Sequence, residues 1–344
     1  MSDPETGTQM YREAAQAAHA VRAQLAANAA AVARLATQLR HTPPRAVVTC
    51  ARGSSDHAAT FARYLIETRL GLLTSSAAPS VTSVYEAQPD LAGTMMLAIS
   101  QSGASPDLLA AVGSARAAGA RIVAMVNAAA SPLAQLADEL LPLHAGEERS
   151  VAATKSYIAS LAAIVQLVAA WAGDDELAAA LATAPQLLER AWQLDWSAGI
   201  TRLRDVRNLY VVGRGPGLAI AQEAALKFKE TCGLHAEAIS AAELRHGPMA
   251  LVGSGFPLLI FTQNDESRPG VAQLAAELAA RGAAVLLAGA TAPGATVLPT
   301  LAAHPALEPL LLAQSFYRLA NALALARGHD PDRPPHLNKV TETL

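Results

Sequence analysis

The chain carries two copies of one strand–turn–helix pattern, separated by 162 positions. Residues 45–53, which read RAVVTCARG, align with residues 207–215, which read RNLYVVGRG. The same offset places residues 99–101 (ISQ) on residues 261–263 (FTQ), and Ser105 on Ser267. Because one offset serves two separate junctions, we interpret the pattern as an internal duplication that produces two similar α/β domains.

Strands and helices alternate within each copy. In the first copy we expect strands at 45–50, 95–99 and 121–126, a helix over 54–70 and another from Ser105 to Gly119. Strands that alternate with helices favour right-handed crossovers and a parallel sheet with helices on both faces. The predicted fold class is therefore α/β, with two doubly wound, flavodoxin-like sheets.

The predicted organisation has five parts. They are an N-terminal helical segment (1–39), a first domain (40–172), a helical linker (173–199), a second domain (200–328) and a C-terminal arm (329–344). Apolar residues recur at helical spacing from Met10 to Leu39, which predicts one long helix or two. Prolines at 331, 334 and 335 disfavour a helix in the arm and favour an extended conformation.

Composition narrows the class of protein. A chain of 344 residues, 52% hydrophobic, is too long for one ordinary core and suits two domains. A net charge of −3 gives no reason to expect nucleic acid or an anionic membrane as a partner. The N-terminus lacks a secretory pattern, and the apolar stretch 161–172 is too short to span a bilayer. We expect a cytoplasmic protein in which Cys50 and Cys232 are buried free thiols.

Two turns of the first domain carry hydroxyl groups where a ligand is expected. In open α/β sheets, ligands bind beyond the carboxyl ends of the strands. The side chains that follow two of the predicted strands are Ser54 and Ser55, and Ser100, Gln101, Ser102 and Ser105. Each turn alone also fits a serine-capped helix, but two at neighbouring strand ends favour phosphate binding. The glycine spacing matches neither a Walker A motif nor a dinucleotide fingerprint.

The corresponding turns of the second domain are poorer anion sites. Residues 215–217 (GPG) have no serine, and residues 262–266 (TQNDE) carry two carboxylates that would repel phosphate. We therefore expect the second domain to supply a different function.

Charged residues of the second domain are candidates for that function. Glu223, Lys227 and Glu230 are spaced i, i+4 and i+7, so they share one helix face. For Glu223 and Lys227 a solvated stripe of surface salt bridges is an equally good interpretation. Glu230 lies beside the predicted helix end, which favours a role in a site. His246 lies in a Gly-Pro turn, and a histidine can act as acid or base near neutral pH.

These residues belong to motifs that occur, in the same order, in a known enzyme family. The motifs are RGSS (52–55), SQSG (100–103), VAATK (151–155), EAALKFKE (223–230), HAEA (235–238), ELRHGP (243–248), DPDRP (330–334) and LNK (337–339). On them the chain resembles the isomerase half of glucosamine-6-phosphate synthase, built from sugar-isomerase (SIS) domains, across nearly its whole length.

The resemblance implies a role for each matched residue. Phosphate would be held by the side chains of Ser55, Ser100, Gln101, Ser102 and Ser105, with Ser54 and Lys227 as further candidates for substrate binding. Val151 would contact the sugar, and Glu230 would be the base that moves a proton between C1 and C2. His246 would assist ring opening from the other subunit of a homodimer. Lys339 would contact the open-chain carbonyl or form an imine with it.

Two departures from the family pattern bear on the reaction. No cysteine nucleophile follows Met1 and no glutaminase half precedes the SIS motifs, so we expect no glutamine-dependent synthesis from this chain alone. Ala104 and Ala153 replace the family's usual acidic residue and serine, which changes the expected sugar contacts.

The expected activity is conversion of glucosamine 6-phosphate to fructose 6-phosphate and ammonia. Deglycation of an amine-linked ketose 6-phosphate, or another phosphosugar isomerisation, is the alternative for the same residues. A sugar-phosphate-sensing regulator is a third interpretation, but the N-terminal segment lacks the basic footprint of a DNA-binding domain. We expect no metal and no organic cofactor, since the nine histidines form no HxxxH or HExxH pattern.

Overall fold

The computed structural model describes residues 6–339, which contain two five-stranded sheets. The strands of the first sheet are β1 (Val47–Cys50), β2 (Thr74–Ser76), β3 (Met95–Ser100), β4 (Arg121–Val126) and β5 (Glu139–Pro142). All their pairings are parallel, in the order β2-β1-β3-β4-β5. Every residue of β3, the central strand, is buried. A continuous apolar run is typical of a parallel strand covered on both faces.

The second sheet repeats this arrangement. Its strands are β6 (Asn208–Gly213), β7 (His235–Ser240), β8 (Pro257–Phe261), β9 (Ala284–Ala288) and β10 (Thr296–Leu298). They are parallel in the order β10-β9-β8-β6-β7, which is the topology of the first sheet read from the other edge. The central strands β3 and β8 begin at residues 95 and 257, again 162 positions apart. The predicted fold class and the duplication are confirmed.

Helices flank both sheets. The helices within residues 9–172 are α1 (Gln9–Ala15), α2 (Ala17–His41), α3 (Ser54–Leu70), α4 (Ser80–Ser83), α5 (Pro106–Ala117), α6 (Pro132–Leu136) and α7 (Lys155–Ala172). Those that follow are α8 (Asp175–Ala182), α9 (Ala184–Trp192), α10 (Ser197–Leu203), α11 (Gly217–Cys232), α12 (Ala241–Leu244), α13 (Arg268–Ala280) and α14 (Glu308–Ala326), with a short 3₁₀ helix at Pro248–Leu251.

The two ends of the chain can be compared with the predictions of an N-terminal helical segment and a C-terminal arm. The N-terminal apolar pattern forms two helices, because α1 ends at Ala15 and Gln16 separates it from α2. In the arm, residues 329–339 form no helix, as the prolines predicted, but they contain turns where the sequence analysis expected an extended conformation. Residues 340–344, also assigned to the arm from the sequence, lie outside the described residues.

By their tertiary contacts the described residues form two compact units. The first unit contains the first sheet and comprises residues 19–148, 155–182 and 338–339. The second unit contains the second sheet and comprises residues 6–18, 149–154 and 183–337. Both units are discontinuous in sequence. Most of α2 therefore belongs with the first sheet, and the short segment 149–154 belongs with the second.

Helix α7 is the one helix of the described residues that is long and apolar enough to cross a membrane by composition. It has 18 residues because it begins at Lys155, earlier than the stretch 161–172 judged too short from the sequence. Of this helix, 83% is buried inside the protein, where it packs against α3 and α8. Its apolar character is accounted for by its place in the core of the first unit.

Both cysteines are buried free thiols, as predicted. Burial raises the pKa of Cys50 to about 12 and that of Cys232 to about 11. Thiols with such pKa values remain protonated near neutral pH, so they act as small apolar side chains and not as nucleophiles.

Candidate functional site

The first predicted phosphate turn follows the buried strand β3. Ser100 is the last residue of β3, and its buried hydroxyl accepts a hydrogen bond of 2.9 Å from the N–H of Gly103. Gly103 has φ +62°, and a Cβ on it would lie 2.2 Å from Oγ of Ser131. Only glycine fits this tight turn. The neighbouring side chains are partly exposed and can reach a ligand: Gln101, Ser102 and Ser105.

The second predicted turn lies beside the first. Strands β1 and β3 are neighbours, so their carboxyl ends meet at one edge of the sheet. Gly53, with φ +55°, precedes α3, and Ser54 and Ser55 are the first two residues of that helix. Both serines are partly exposed. The start of a 17-residue helix is the positive end of the helix dipole and favours a bound anion. The two hydroxyl groups at this position add hydrogen-bond donors for such an anion.

An ion pair that the sequence did not reveal joins the two turns. Asp107, in the first turn of α5, is 2% exposed and accepts hydrogen bonds from Nε and Nη2 of Arg52 at 2.8 and 2.5 Å. Arg52 precedes Gly53, so the pair links the β1 turn to the β3 turn. The side chain of Arg52 is 49% exposed, so Arg52 links the two turns and also places positive charge at the surface beside them.

One further carboxylate lies in the first turn of α3. Burial raises the pKa of Asp56 above its ordinary value, and the nearby side chains of His57 and Arg52 oppose that shift.

The charged face of α11 is buried in the second unit. Lys227 and Glu223 are each 1% exposed, and Glu230 is 19% exposed. The ammonium group of Lys227 lies 2.5 Å from Oε2 of Glu230 and 3.4 Å from Oε1 of Glu223. The hydroxyl of Tyr317 donates to Glu223 at 2.8 Å. The interpretation as a solvated stripe is wrong for Glu223 and Lys227.

Two neighbouring carboxylates keep Lys227 charged in its buried position. Burial alone would lower the pKa of Lys227, but the two carboxylates, Glu223 and Glu230, outweigh it and raise the pKa above its ordinary value. Lys227 therefore stays charged and orients Glu230. Glu230 is the most exposed of the three, so its carboxylate is the one that a bound molecule could reach.

Glu230 lies close to the end of its helix, as the sequence indicated. Helix α11 ends at Cys232, and Gly233 follows in the left-handed conformation with φ +55°. A Cβ on Gly233 would lie 2.7 Å from the imidazole ring of His329. The close approach of that ring explains why the helix ends at a glycine.

The remaining predicted residues lie in connecting segments. His246 is exposed in the turn between α12 and the 3₁₀ helix, where its N–H donates to the carbonyl of Glu243. Val151 is partly buried and belongs to the second unit, in segment 149–154. Lys339 is partly buried and is grouped with the first unit. The structure thus brings the serine turns together in one unit and Lys227 with Glu230 in the other.

The loop after β8 in the second unit corresponds to the serine turn after β3. In this loop a side chain of the loop itself, Asp265, occupies the hydrogen-bond donors. The loop after β8 contains Asp265, whose Oδ1 accepts from the N–H and hydroxyl of Ser267 at 2.9 and 2.6 Å. Its Oδ2 accepts from Nε2 of Gln263 at 2.5 Å. Gln263 and Ser267 occupy the positions of Gln101 and Ser105 in the first copy. The donors that would face an anion are therefore already used by Asp265.

Comparisons with known proteins identify the family. The family model described as the SIS domain matches residues 42–170 and 202–291. The chain belongs to the SIS-domain family. The first matched segment contains all five strands of the first sheet, and the second contains four of the five strands of the second sheet, β6 to β9. The SIS domain therefore occurs twice.

Relatives refine this assignment. A glutamine–fructose-6-phosphate aminotransferase (isomerizing) from Aeropyrum pernix is 37% identical over 311 residues, covering 84% of this chain and 49% of the relative. The chain thus spans about half the length of the curated relatives it matches. The predicted resemblance to the isomerase half of this enzyme family is confirmed.

Two solved structures share the fold. A protein from Silicibacter pomeroyi, provisionally described as a phosphosugar isomerase, is 44% identical, with a TM-score of 0.91 over 94% of this chain and all of that one. A glucosamine-6-phosphate deaminase from Thermotoga maritima has a TM-score of 0.76 at 22% identity, covering 98% of this chain and all of that one, which shows a common fold.

Side chains that could bind a metal ion do not form a cluster in the described part of the chain. Among residues 6–339, no group of three or more His, Cys, Asp or Glu side chains is arranged to hold a metal ion.

Proposed function

We propose that this SIS protein is a phosphosugar isomerase that converts glucosamine 6-phosphate to fructose 6-phosphate and ammonia. The observation that carries the proposal is the partly exposed carboxylate of Glu230, held at the end of α11 by the buried ammonium group of Lys227. Aldose–ketose conversion needs one carboxylate to move one proton between adjacent carbons. The relationship to an isomerizing aminotransferase supports the same chemistry.

The phosphate group would be the handle of the substrate. The hydroxyls of Ser55, Ser102 and Ser105, with the amide of Gln101, would donate hydrogen bonds to it, and the start of α3 would add its dipole. Ser54 would add a further hydroxyl, and Ser100 would act by holding Gly103 in the turn. Binding energy from a phosphate remote from the reacting carbons orients those carbons for the proton transfer.

The proposed reaction has three steps. His246 assists ring opening, which exposes an aldehyde at C1 with the amine on C2. Glu230 takes the proton from C2 and returns it to C1, while one proton of the C2 ammonium group passes to the C1 oxygen. C1 thereby becomes a hydroxymethyl group and C2 becomes an iminium carbon. Water then adds to C2 and ammonia leaves, giving the ketone of fructose 6-phosphate. Lys339 would contact the open-chain carbonyl, and Val151 would contact the sugar. A homodimer in which the partner supplies His246 is part of the proposal.

The deciding experiment measures both products from one substrate. The purified chain is incubated with glucosamine 6-phosphate, and ammonia and fructose 6-phosphate are followed by separate coupled assays. Equimolar release of the two, with deuterium from heavy water at C1 of the ketose, is the expected result. Glu230→Gln is the inactive reference.

Other outcomes would redirect the assignment. Interconversion of hexose 6-phosphates without ammonia release would indicate a plain isomerase. Release of an amine only from an amine-linked ketose 6-phosphate would indicate a deglycase. Binding of sugar phosphates without turnover of any of them would contradict an enzymatic role and favour a sensor.

A further inference from the structure

Helix α1 is too short to be stable without help from tertiary contacts. It has seven residues, and isolated helices of that length are not stable in water. Its own sequence supplies one cap, since the hydroxyl of Thr8 accepts from the N–H of Tyr11 at 3.1 Å. That hydroxyl also donates to Oδ1 of Asn321 in α14, at 2.6 Å in a buried position. The helix is therefore held in place by the second unit.

The base of the C-terminal arm binds the first turn of α1. The carboxylate of Asp332 accepts from the N–H of Gln9 at 2.6 Å and from the N–H of Met10 at 2.7 Å. These N–H groups have no partner within the helix, and the positive end of the helix dipole favours a carboxylate there. Lys339, for which we propose a contact with the substrate carbonyl, follows seven residues later in the arm.

The last turn of α1 binds a second segment. Glu13 is 1% exposed, and its Oε1 accepts from the N–H of Arg149 at 2.5 Å. Its Oε2 accepts from the N–H of Ser150 at 3.0 Å. Nε2 of Gln9 donates to Oε1 at 2.8 Å and orients the carboxylate. Val151, the proposed sugar contact, is the next residue in the chain.

Burying this carboxylate is costly, which argues that the contact has a purpose. A buried carboxylate without partners is strongly unfavourable, and charge-assisted hydrogen bonds to backbone N–H groups compensate for that cost. Glu13 uses these bonds on two consecutive residues of a connecting segment, so it fixes the backbone of that segment and not a side chain. One helix thus holds the two segments that carry proposed sugar contacts.

We propose that Glu13 is a positioning residue for the sugar contact at Val151, and that Asp332 is a positioning residue for the arm that carries Lys339. The inference rests on the proposed function, which assigns Val151 and Lys339 to the substrate. Neither Glu13 nor Asp332 touches the reacting atoms in this proposal. Each acts through the backbone that it holds.

The experiment compares Glu13→Gln and Asp332→Asn with the exposed, matched variant Glu189→Gln. Hydrogen exchange followed by mass spectrometry reports on the N–H groups of residues 149 and 150, whose exchange should become faster in Glu13→Gln. For the same variant, kcat should fall about 10- to 100-fold, since small misplacements near a reacting centre have effects of this size. The inhibition constant of inorganic phosphate should stay within about twofold of the wild type, because the serine turns are untouched.

The arm variant has its own signature. Asp332→Asn keeps the shape of the side chain and removes the charge, so kcat should fall while exchange at residues 149 and 150 stays unchanged. If Glu13→Gln does not fold, Gln9→Ala, which keeps the Glu13 carboxylate but removes its orienting amide, should give the same effects to a smaller degree.

The outcomes separate this inference from the proposed function. A wild-type chain that converts no sugar phosphate would contradict the proposed function. An active wild type with unchanged kcat in Glu13→Gln would overturn only the positioning role. Faster exchange at residues 149 and 150 with unchanged kcat would likewise overturn it, since the contact would then be merely structural.

Discussion

The loops after β3 and β8 are copies of one another, yet they use their hydrogen-bond donors differently. In the loop after β3, the side chains of Gln101 and Ser105 are partly exposed. In the loop after β8, the equivalent Gln263 and Ser267 donate to Asp265, so these donors are already used within the protein. A glycine, Gly103, occupies the position of Asp265 in the first copy.

This difference is the one we expect if a duplicated anion site has lost its ligand. The Asp265 carboxylate takes up the donors of the loop after β8, and a carboxylate at that position would repel phosphate. The second unit carries its buried charged side chains elsewhere, on α11. The comparison therefore supports our proposal of a separation of roles, in which the first unit binds the anion and the second transfers the proton.

The largest expected effect tests that separation directly. Glu230→Gln should lower kcat by about 10³-fold, because general acid–base groups contribute effects of this order, while the inhibition constant of inorganic phosphate stays unchanged. Steady-state kinetics and phosphate inhibition are measured on the same preparation, with Glu189→Gln as the control. Unchanged turnover would remove Glu230 from the mechanism, and weakened phosphate binding would contradict the separation of roles.

The next effect concerns the ion cluster on α11. Lys227→Met should lower the free energy of unfolding by about 3–5 kcal/mol, since it leaves the carboxylates of Glu223 and Glu230 together without their buried cation. Chemical denaturation measures the loss. Lys229→Met, at an exposed position of the same helix, should cost less than about 1 kcal/mol. Equal effects of the two variants would refute the buried cluster.

Matched serine variants compare the two loops. Ser105→Ala should raise KM by about 10- to 100-fold, because a hydrogen bond to a charged group contributes about 1.5–3 kcal/mol. Ser267→Ala removes the equivalent hydroxyl of the second copy and should leave KM within about twofold, since that hydroxyl donates to Asp265. A similar rise in KM for both variants would mean that both loops bind the substrate phosphate.

The smallest effect tests the internal carboxylate. Asp265→Asn should lower the free energy of unfolding by about 1–2 kcal/mol, because its bonds from Ser267 and Gln263 lose their charge assistance. Turnover by the folded protein should remain near the wild-type value. The measurement combines thermal unfolding with kinetics. Unchanged stability would show that the carboxylate is not needed to satisfy the loop.

The sequence by itself determined the fold class, the duplication and the position of the turns for which we propose anion binding. These features depend on local patterns, such as apolar runs, glycine turns and residues at helix starts. The same patterns recur 162 residues later in the chain, so each copy supports the interpretation of the other. The resemblance to the SIS family was also readable, because its motifs are short, ordered and rich in polar residues. The structure places Ser100, Ser105 and Glu230 on the elements that those patterns indicated.

Only the tertiary structure decided which charges are buried and which distant residues meet. Helical spacing put Glu223 and Lys227 on one face but did not show that α14 covers that face, with Tyr317 bonded to Glu223. Likewise, Glu13 precedes Arg149 by 136 residues and Asp332 follows Gln9 by 323, so neither contact has a local signal. Burial and long-range hydrogen bonds arise when separate elements pack together, and a one-dimensional pattern carries no record of that packing.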